Sequence, residues 1–364
     1  MKSFSDYTIS LSNIKQNLLA YKKIDSKSKI CAVVKANAYG IGLKNVVPTI
    51  DKFVDYYAVA CFIEAKKLRL LTTKPILILN FTPTKNIAFC QKNNISISVS
   101  NLVQVNLIAQ NTSSNLPKIK LHLAINSGMN RIGFDNHAEF KQTIKAILSS
   151  KNMQIDGIFT HLYNAKNKID CKQQISIFMQ YLAILKKYID VSKIIKHTSS
   201  SLPATNFKNF RFDMVRLGIM LFASIKNNAK IKTLDAINIK SKIINVYKLQ
   251  PGQSVGYNKG FVAKKPLTIG TVPLGYADGI MRVISKKGYV LCCGRPCKIL
   301  GNICMDMFMI DLTNTNAKLF DTVTIVGRDK KHTISLNRIA KFCNTIDYEI
   351  LTNIKQNRFN IKIE

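Results

Sequence analysis

Through roughly the first 225 positions, short apolar runs rich in β-branched residues alternate with longer stretches of helical periodicity. The runs Lys29–Val34, Tyr56–Ala60, Pro75–Leu79, Ile95–Val99, Ile119–Ile125, Gln154–Phe159, Lys193–His197 and Met214–Leu217 read as strands. Helical patterns fill the gaps at Leu43–Phe53, Glu64–Leu71, Thr84–Lys92, Leu102–Gln110, Ala138–Leu148 and Ile175–Tyr188, with Pro83 and Asn101 placed where helices start. Eight strand–helix units at a spacing of about 25 residues predict a (β/α)8 barrel of the TIM type. The texture then changes. Ile237–Tyr247, Leu267–Val272, Tyr289–Cys293, Lys298–Leu300, Met307–Asp311 and Thr322–Val326 are short β-rich runs broken by Gly, Pro and Asn, with one helix expected near Leu336–Phe342. The fold class is therefore α/β: a barrel over residues 1–228, followed by a mainly β domain over 229–364.

Composition narrows the setting. No segment approaches the ~20 apolar residues of a membrane span. The opening residues form no continuous apolar stretch of the secretory kind, so none is read as a leader. The nine cysteines are odd in number and irregular in spacing, which argues against a disulfide framework and for a reducing, cytoplasmic location. Cys293 and Cys297 stand four apart, but no second pair at zinc-like spacing follows, and no metal is expected. The net charge of +34 would suit a nucleic-acid binder. However, the lysines are scattered in pairs such as Lys186-Lys187 and Lys330-Lys331 and form no basic block, so no specific nucleic acid is implied.

Chemistry enters at Val33-Val34-Lys35-Ala36-Asn37-Ala38-Tyr39-Gly40. In a parallel barrel the C-terminal strand ends form the active-site face, and Lys35 falls just past one. A lysine at an apolar rim can lose its proton and form a Schiff base. Other distinctive segments follow in order: Asn126–Phe134, Thr160-His161, Met214–Ile219, Val255-Gly256-Tyr257, Pro273–Gly279, Ile303–Asp306 and Asp347–Glu349. Together these resemble the motifs of the pyridoxal-phosphate-dependent alanine racemases, across most of the chain.

The resemblance implies a set of roles. Lys35 carries pyridoxal 5′-phosphate and acts as one base; Tyr257 is the second base, on the opposite face of the substrate. Arg216 faces the pyridine nitrogen, and His161 orients that arginine. Tyr39, Ser201, Gly218, Ile219 and Tyr348 bind the phosphate, with Ser200 an alternative to Ser201. Arg131 and the backbone N–H of Met305 take the substrate carboxylate, while Tyr276 and Asp306 narrow the entrance. Tyr257 comes from a second subunit, so a homodimer with shared sites is implied. The substrate is alanine, and the D-alanine formed serves peptidoglycan synthesis. One position departs from the pattern: Ala124 stands where the family often has a lysine, carbamylated in some members, that holds the arginine. Another group or an anion must then position Arg131. Three rivals are a broader amino-acid racemase, a related decarboxylase (disfavoured by Arg216, since it would want an acid there) and a non-catalytic cofactor carrier, which would lack the β domain.

Overall fold

The computed structural model describes residues 3–225 and 231–364. The expected domain boundary at 228/229 lies outside the described residues.

Eight parallel strands form one sheet, in the order Ile195–His197, Met153–Phe159, Ile119–Ala124, Ile95–Val99, Ile76–Ile78, Tyr56–Val59, Lys29–Val33 and Met214–Leu217. The two edges meet: the Asp213 N–H donates to the Lys196 carbonyl at 3.0 Å, and the Arg216 N–H to the Ser199 carbonyl at 2.9 Å. The sheet is thus a barrel. Runs such as Tyr56–Val59, Ile95–Val99 and Met214–Leu217 are buried along their whole length. That is why they read as continuous apolar stretches and not as alternation. Helix Leu102–Gln110 starts as expected, with the Asn101 side chain accepting from the Gln104 N–H. Helix Lys168–Lys186 begins seven residues before its periodic stretch, capped by Asn167.

The second sheet runs Asn245–Leu249, Leu267–Val272, Phe308–Asp311, Arg295–Leu300, Tyr289–Cys292, Thr322–Asp329, Ile237–Lys242, Asp6–Ile9 and Asn360–Ile363, with His332–Ile334 paired to Thr322–Asp329. Helix Leu336–Phe342 falls where expected, capped by Ser335. One strand stands elsewhere than the sequence suggests. Asp6–Ile9, read as part of the barrel's span, lies antiparallel to Ile237–Lys242 and parallel to Asn360–Ile363. The chain therefore starts in the β domain and enters the barrel through helix Leu11–Lys22, which the periodicity did not suggest. A single apolar cluster runs from the barrel strands into the second sheet, so the two domains share a core.

Candidate active site

Lys35 follows directly on strand Lys29–Val33, and the next four residues adopt a conformation rare for side-chain-bearing residues. Ala36, Asn37, Ala38 and Tyr39 all have φ between 52° and 56°, making a left-handed turn closed by Gly40 at φ 84°. Each such residue costs about 1–2 kcal/mol. Hydrogen bonds hold the turn in place. The Glu64 carboxylate accepts the Ala36 N–H at 2.6 Å and the Ala60 N–H at 2.8 Å, the Asn37 side chain accepts the Leu43 N–H at 3.0 Å, and Gln356 donates to the Gly40 carbonyl at 2.5 Å. A β-carbon at Gly40 would come within 2.8 Å of the Leu351 carbonyl oxygen.

The turn swings Tyr39 inward. Its buried ring packs on Phe222 and Tyr348, at centroid distances of 5.1 and 5.7 Å. Lys35 Nζ faces a cavity of about 480 Å³ at the C-terminal mouth of the barrel. Tyr39, Ala124, Arg131, His161, Ser200, Ser201, Arg216, Gly218, Ile219 and Tyr348 line it as well, and among the described residues no carboxylate does. Burial, reinforced by the charge of Arg131, holds the Lys35 ammonium below its ordinary range.

Arg216 projects inward from strand Met214–Leu217 and is almost wholly buried. Burial, with Arg131 nearby, pushes it down to about 10, so it stays charged at neutral pH. Its guanidinium donates to His197 Nδ1 at 2.7 Å and to the carbonyls of His197, Thr160 and Thr198 at 2.9, 2.7 and 3.1 Å. The histidine touching this arginine is therefore His197, where the resemblance implied His161. His161 lines the cavity, half-buried, and is pushed down to about 3 by burial and by the charges of Arg216, Arg131 and Lys35.

Of the two candidate serines, Ser201 is buried, and its Oγ accepts the Gly218 N–H at 3.0 Å. Gly218 is confined by Tyr39, whose hydroxyl stands where a β-carbon would lie. Burial, with Asp347 adjacent, pushes the Tyr348 phenol up to about 12, so it remains a hydrogen-bond donor.

Arg131 sits in the loop 126–134, pinched at its base by the pairing of Ile125 with Phe134. Asn126 Oδ1 accepts the N–H groups of Gly128 and Asn130 at 3.2 and 2.9 Å, and Ser127 Oγ lies 2.6 Å from Thr160 Oγ1. Gly133, at φ 126°, leaves no room for a side chain against the backbone of Ile125 and Asn126. Ala124 is buried on the strand below and carries no anion toward Arg131.

The remaining four candidates lie apart. Tyr257, Tyr276, Met305 and Asp306 are not among the residues lining the cavity, and Tyr257 and Met305 are 68% and 55% exposed. They gather on adjoining loops of the β domain. Asn302 donates to the Tyr257 carbonyl at 3.3 Å, the Tyr276 N–H to the Cys304 carbonyl at 3.2 Å and the Ala277 N–H to the Met305 carbonyl at 3.0 Å. Arg358 locks these loops, 2.5 Å from buried Asp278 and 2.6 Å from Asp306.

Glu64, His197 and Arg358 were not singled out from the sequence. His197 does open the segment His197–Ser201, and Asp278 lies within Pro273–Gly279, so position relative to these segments was the available signal.

Comparison with known proteins matches both halves of the chain. Residues 9–225 fit the family profile described as "Alanine racemase, N-terminal domain", and residues 236–362 the one described as "Alanine racemase, C-terminal domain". "Alanine racemase 2" of Caldanaerobacter subterraneus subsp. tengcongensis is 33% identical over 96% of this chain and 92% of its own. The Helicobacter pylori (strain P12) alanine racemase is 31% identical over 98% of each. Among solved structures, the Bacillus anthracis alanine racemase with bound L-Ala-P superposes with a TM-score of 0.91 at 28% identity, covering 100% of this chain and 95% of that one. The Clostridium difficile 630 alanine racemase gives 0.89 at 32% identity, covering 99% and 95%.

Proposed function

This chain belongs to the alanine racemase family, and from that premise we propose that it interconverts L- and D-alanine on pyridoxal 5′-phosphate, using Lys35 of one subunit and Tyr257 of a second. The observation that carries this reading is the cavity itself: three basic side chains and five hydroxyls converge at a barrel mouth that, among the described residues, no carboxylate lines. Such a donor set suits a phosphorylated, anionic group. Gly218 suits it too, because the absent side chain lets the Tyr39 hydroxyl reach this end of the cavity.

Lys35 would hold the cofactor covalently, and Tyr39, Ser201, Gly218, Ile219 and Tyr348 its phosphate. When bound, the cofactor supplies a conjugated ring that withdraws electron density from the substrate Cα. Arg216, charged at neutral pH and only a donor, would leave the ring nitrogen unprotonated and so moderate that withdrawal. His161, held neutral by the surrounding cations, adds no further positive charge beside it.

Lys35, whose ammonium burial holds below its ordinary range, takes the Cα proton on one face. Tyr257 works from the other face. Its exposure in one subunit, on loops shared with Met305 and Tyr276, is what a residue offered to a partner's cavity requires. Arg131 pairs with the substrate carboxylate through its planar fork, with the Met305 N–H beside it. Tyr276 and Asp306 limit the entrance to a small side chain. The D-alanine produced would supply peptidoglycan synthesis.

The test is chiral analysis of L-alanine incubated with purified protein and pyridoxal phosphate. D-alanine is expected from the wild type and none from Lys35→Ala. Absence of D-alanine with the cofactor bound would overturn the assignment; turnover of larger amino acids at a similar rate would broaden it.

A further inference from the structure

Among the described residues, no carboxylate lies within ion-pair distance of the buried Arg216 guanidinium. Its charge faces a chain of aromatic nitrogens instead. Beyond the 2.7 Å contact with His197 Nδ1, His197 Nε2 lies 2.9 Å from His122 Nδ1, and His122 Nε2, which makes no hydrogen bond, lies at ion-pair distance from Asp156 Oδ2, 3.5 Å. Both histidines are fully buried.

One end of this chain fixes every proton in it. A guanidinium only donates, so His197 Nδ1 bears a lone pair. Its proton then sits on Nε2 and points to His122, whose Nδ1 must accept. The remaining His122 proton is on Nε2, facing the carboxylate. A cationic His197 would set N–H against N–H at the arginine, and burial beside Arg216 holds its pKa well below the ordinary histidine range.

The surroundings are built for this line. The pairing between strands Ile119–Ala124 and Met153–Phe159 jumps from Leu121–Ile155 to His122–Gly157, leaving Asp156 as the extra residue of a bulge. A bulge re-aims a side chain, and here the carboxylate turns toward His122. The next residue is Gly157, and any β-carbon there would run into the His122 ring. Phe159 stacks on His197 at 4.9 Å and 10° and lies under the Arg216 guanidinium, so the second ring cannot tilt.

We propose that Asp156 is a positioning residue and the remote counter-ion of Arg216, its charge relayed through the fixed tautomers of His122 and His197 to hold the guanidinium against the cofactor's ring nitrogen. The assignment of that nitrogen's partner rests on the racemase reading; the tautomers do not.

Two measurements test this. Nitrogen-15 NMR of histidine-labelled protein, with and without pyridoxal phosphate, should find both His122 and His197 as single Nε2–H tautomers. An Nδ1–H His197, or a mixture, overturns the relay, whatever any variant does. Asp156→Asn, which removes the charge but keeps an acceptor oxygen, should lower kcat about tenfold. It should leave KM for alanine within about twofold and shift the nitrogen-15 resonances of His122 and His197 while leaving both tautomers as they are, since Arg216 fixes those. Asp156→Glu, which keeps the charge, should recover most of kcat. An Asp156→Asn enzyme identical to the wild type, or an Asp156→Glu enzyme no better than Asp156→Asn, overturns the proposal. If Asp156→Asn does not fold, a wild-type His197 other than Nε2–H still overturns the relay. Correct tautomers in a protein that racemises nothing would sink the racemase reading and leave the relay standing.

Discussion

The hydroxyl of Tyr39 stands where a β-carbon on Gly218 would have to be. The two residues come from opposite ends of the barrel sequence, and the left-handed turn after Lys35 brings them together. Gly218→Ala should therefore displace Tyr39 from the phosphate end of the cavity. We expect the dissociation constant for pyridoxal phosphate to rise at least about tenfold, since one phosphate contact is worth more than ~1.4 kcal/mol. An absorbance titration checks it; unchanged affinity would mean that this crowding has no part in phosphate binding.

Lys35 and Tyr257 lie in separate places within one chain, one in the cavity and one exposed on the β domain. Neither Lys35→Ala nor Tyr257→Phe should racemise alanine alone. Mixed in equal amounts and allowed to exchange subunits, half the dimers are hybrids with one intact site of two, so about a quarter of wild-type activity should return. No recovery after demonstrated exchange would place both bases in the same chain.

The loop carrying Arg131 depends on Gly133, whose φ of 126° and contact with the Asn126 backbone exclude a side chain. Gly133→Ala should loosen the loop by about 1–3 kcal/mol. Because Ala124 offers no anion to re-seat Arg131, KM for alanine should rise more than kcat falls. Steady-state kinetics in both directions would show the split; a pure kcat effect would contradict the carboxylate role.

Acid should weaken the cofactor-free protein through its buried histidines. His161 and His197 both have folded-state pKa values below the ordinary value near 6.5. The unfolded chain therefore takes up protons that the folded one refuses. Their contribution is fully present above about pH 6.5 and is lost as pH falls, for His161 toward about 3. The thermal midpoint should drop between about pH 7 and 5, before most carboxylates titrate. His161→Gln should drop less over the same window. Equal slopes would show that His161 is not held neutral.

Most of the barrel was legible because its strands are buried on both sides and so stand out as apolar runs; Ile95–Val99 and Met214–Leu217 match residue for residue. Helix Lys168–Lys186 was shortened because its first turn, Lys168–Gln174, is mostly polar and is held by the Asn167 cap, not by apolar periodicity. The site residues on quoted segments were legible individually. Which histidine meets Arg216 was not, because spacing does not report which of two strand ends points inward. Asp156-Gly157 within an apolar run did carry a signal, since glycine inside a strand often marks a bulge. What Asp156 would face depends on His122, thirty-four residues earlier, and only the paired strands bring them together.

The placement of Asp6–Ile9 has a consequence for how the protein is made. Synthesis delivers this segment first, yet its two neighbours, Ile237–Lys242 and Asn360–Ile363, come late. The barrel can close once Met214–Leu217 has left the ribosome, while the segment ahead of it waits through most of translation for a seat. A nascent chain thus holds a closed barrel whose cavity still lacks Tyr348 and whose Gly40 carbonyl still lacks Gln356. Competence arrives late and nearly all at once, when residues 360–363 pair with a strand that has waited since the beginning.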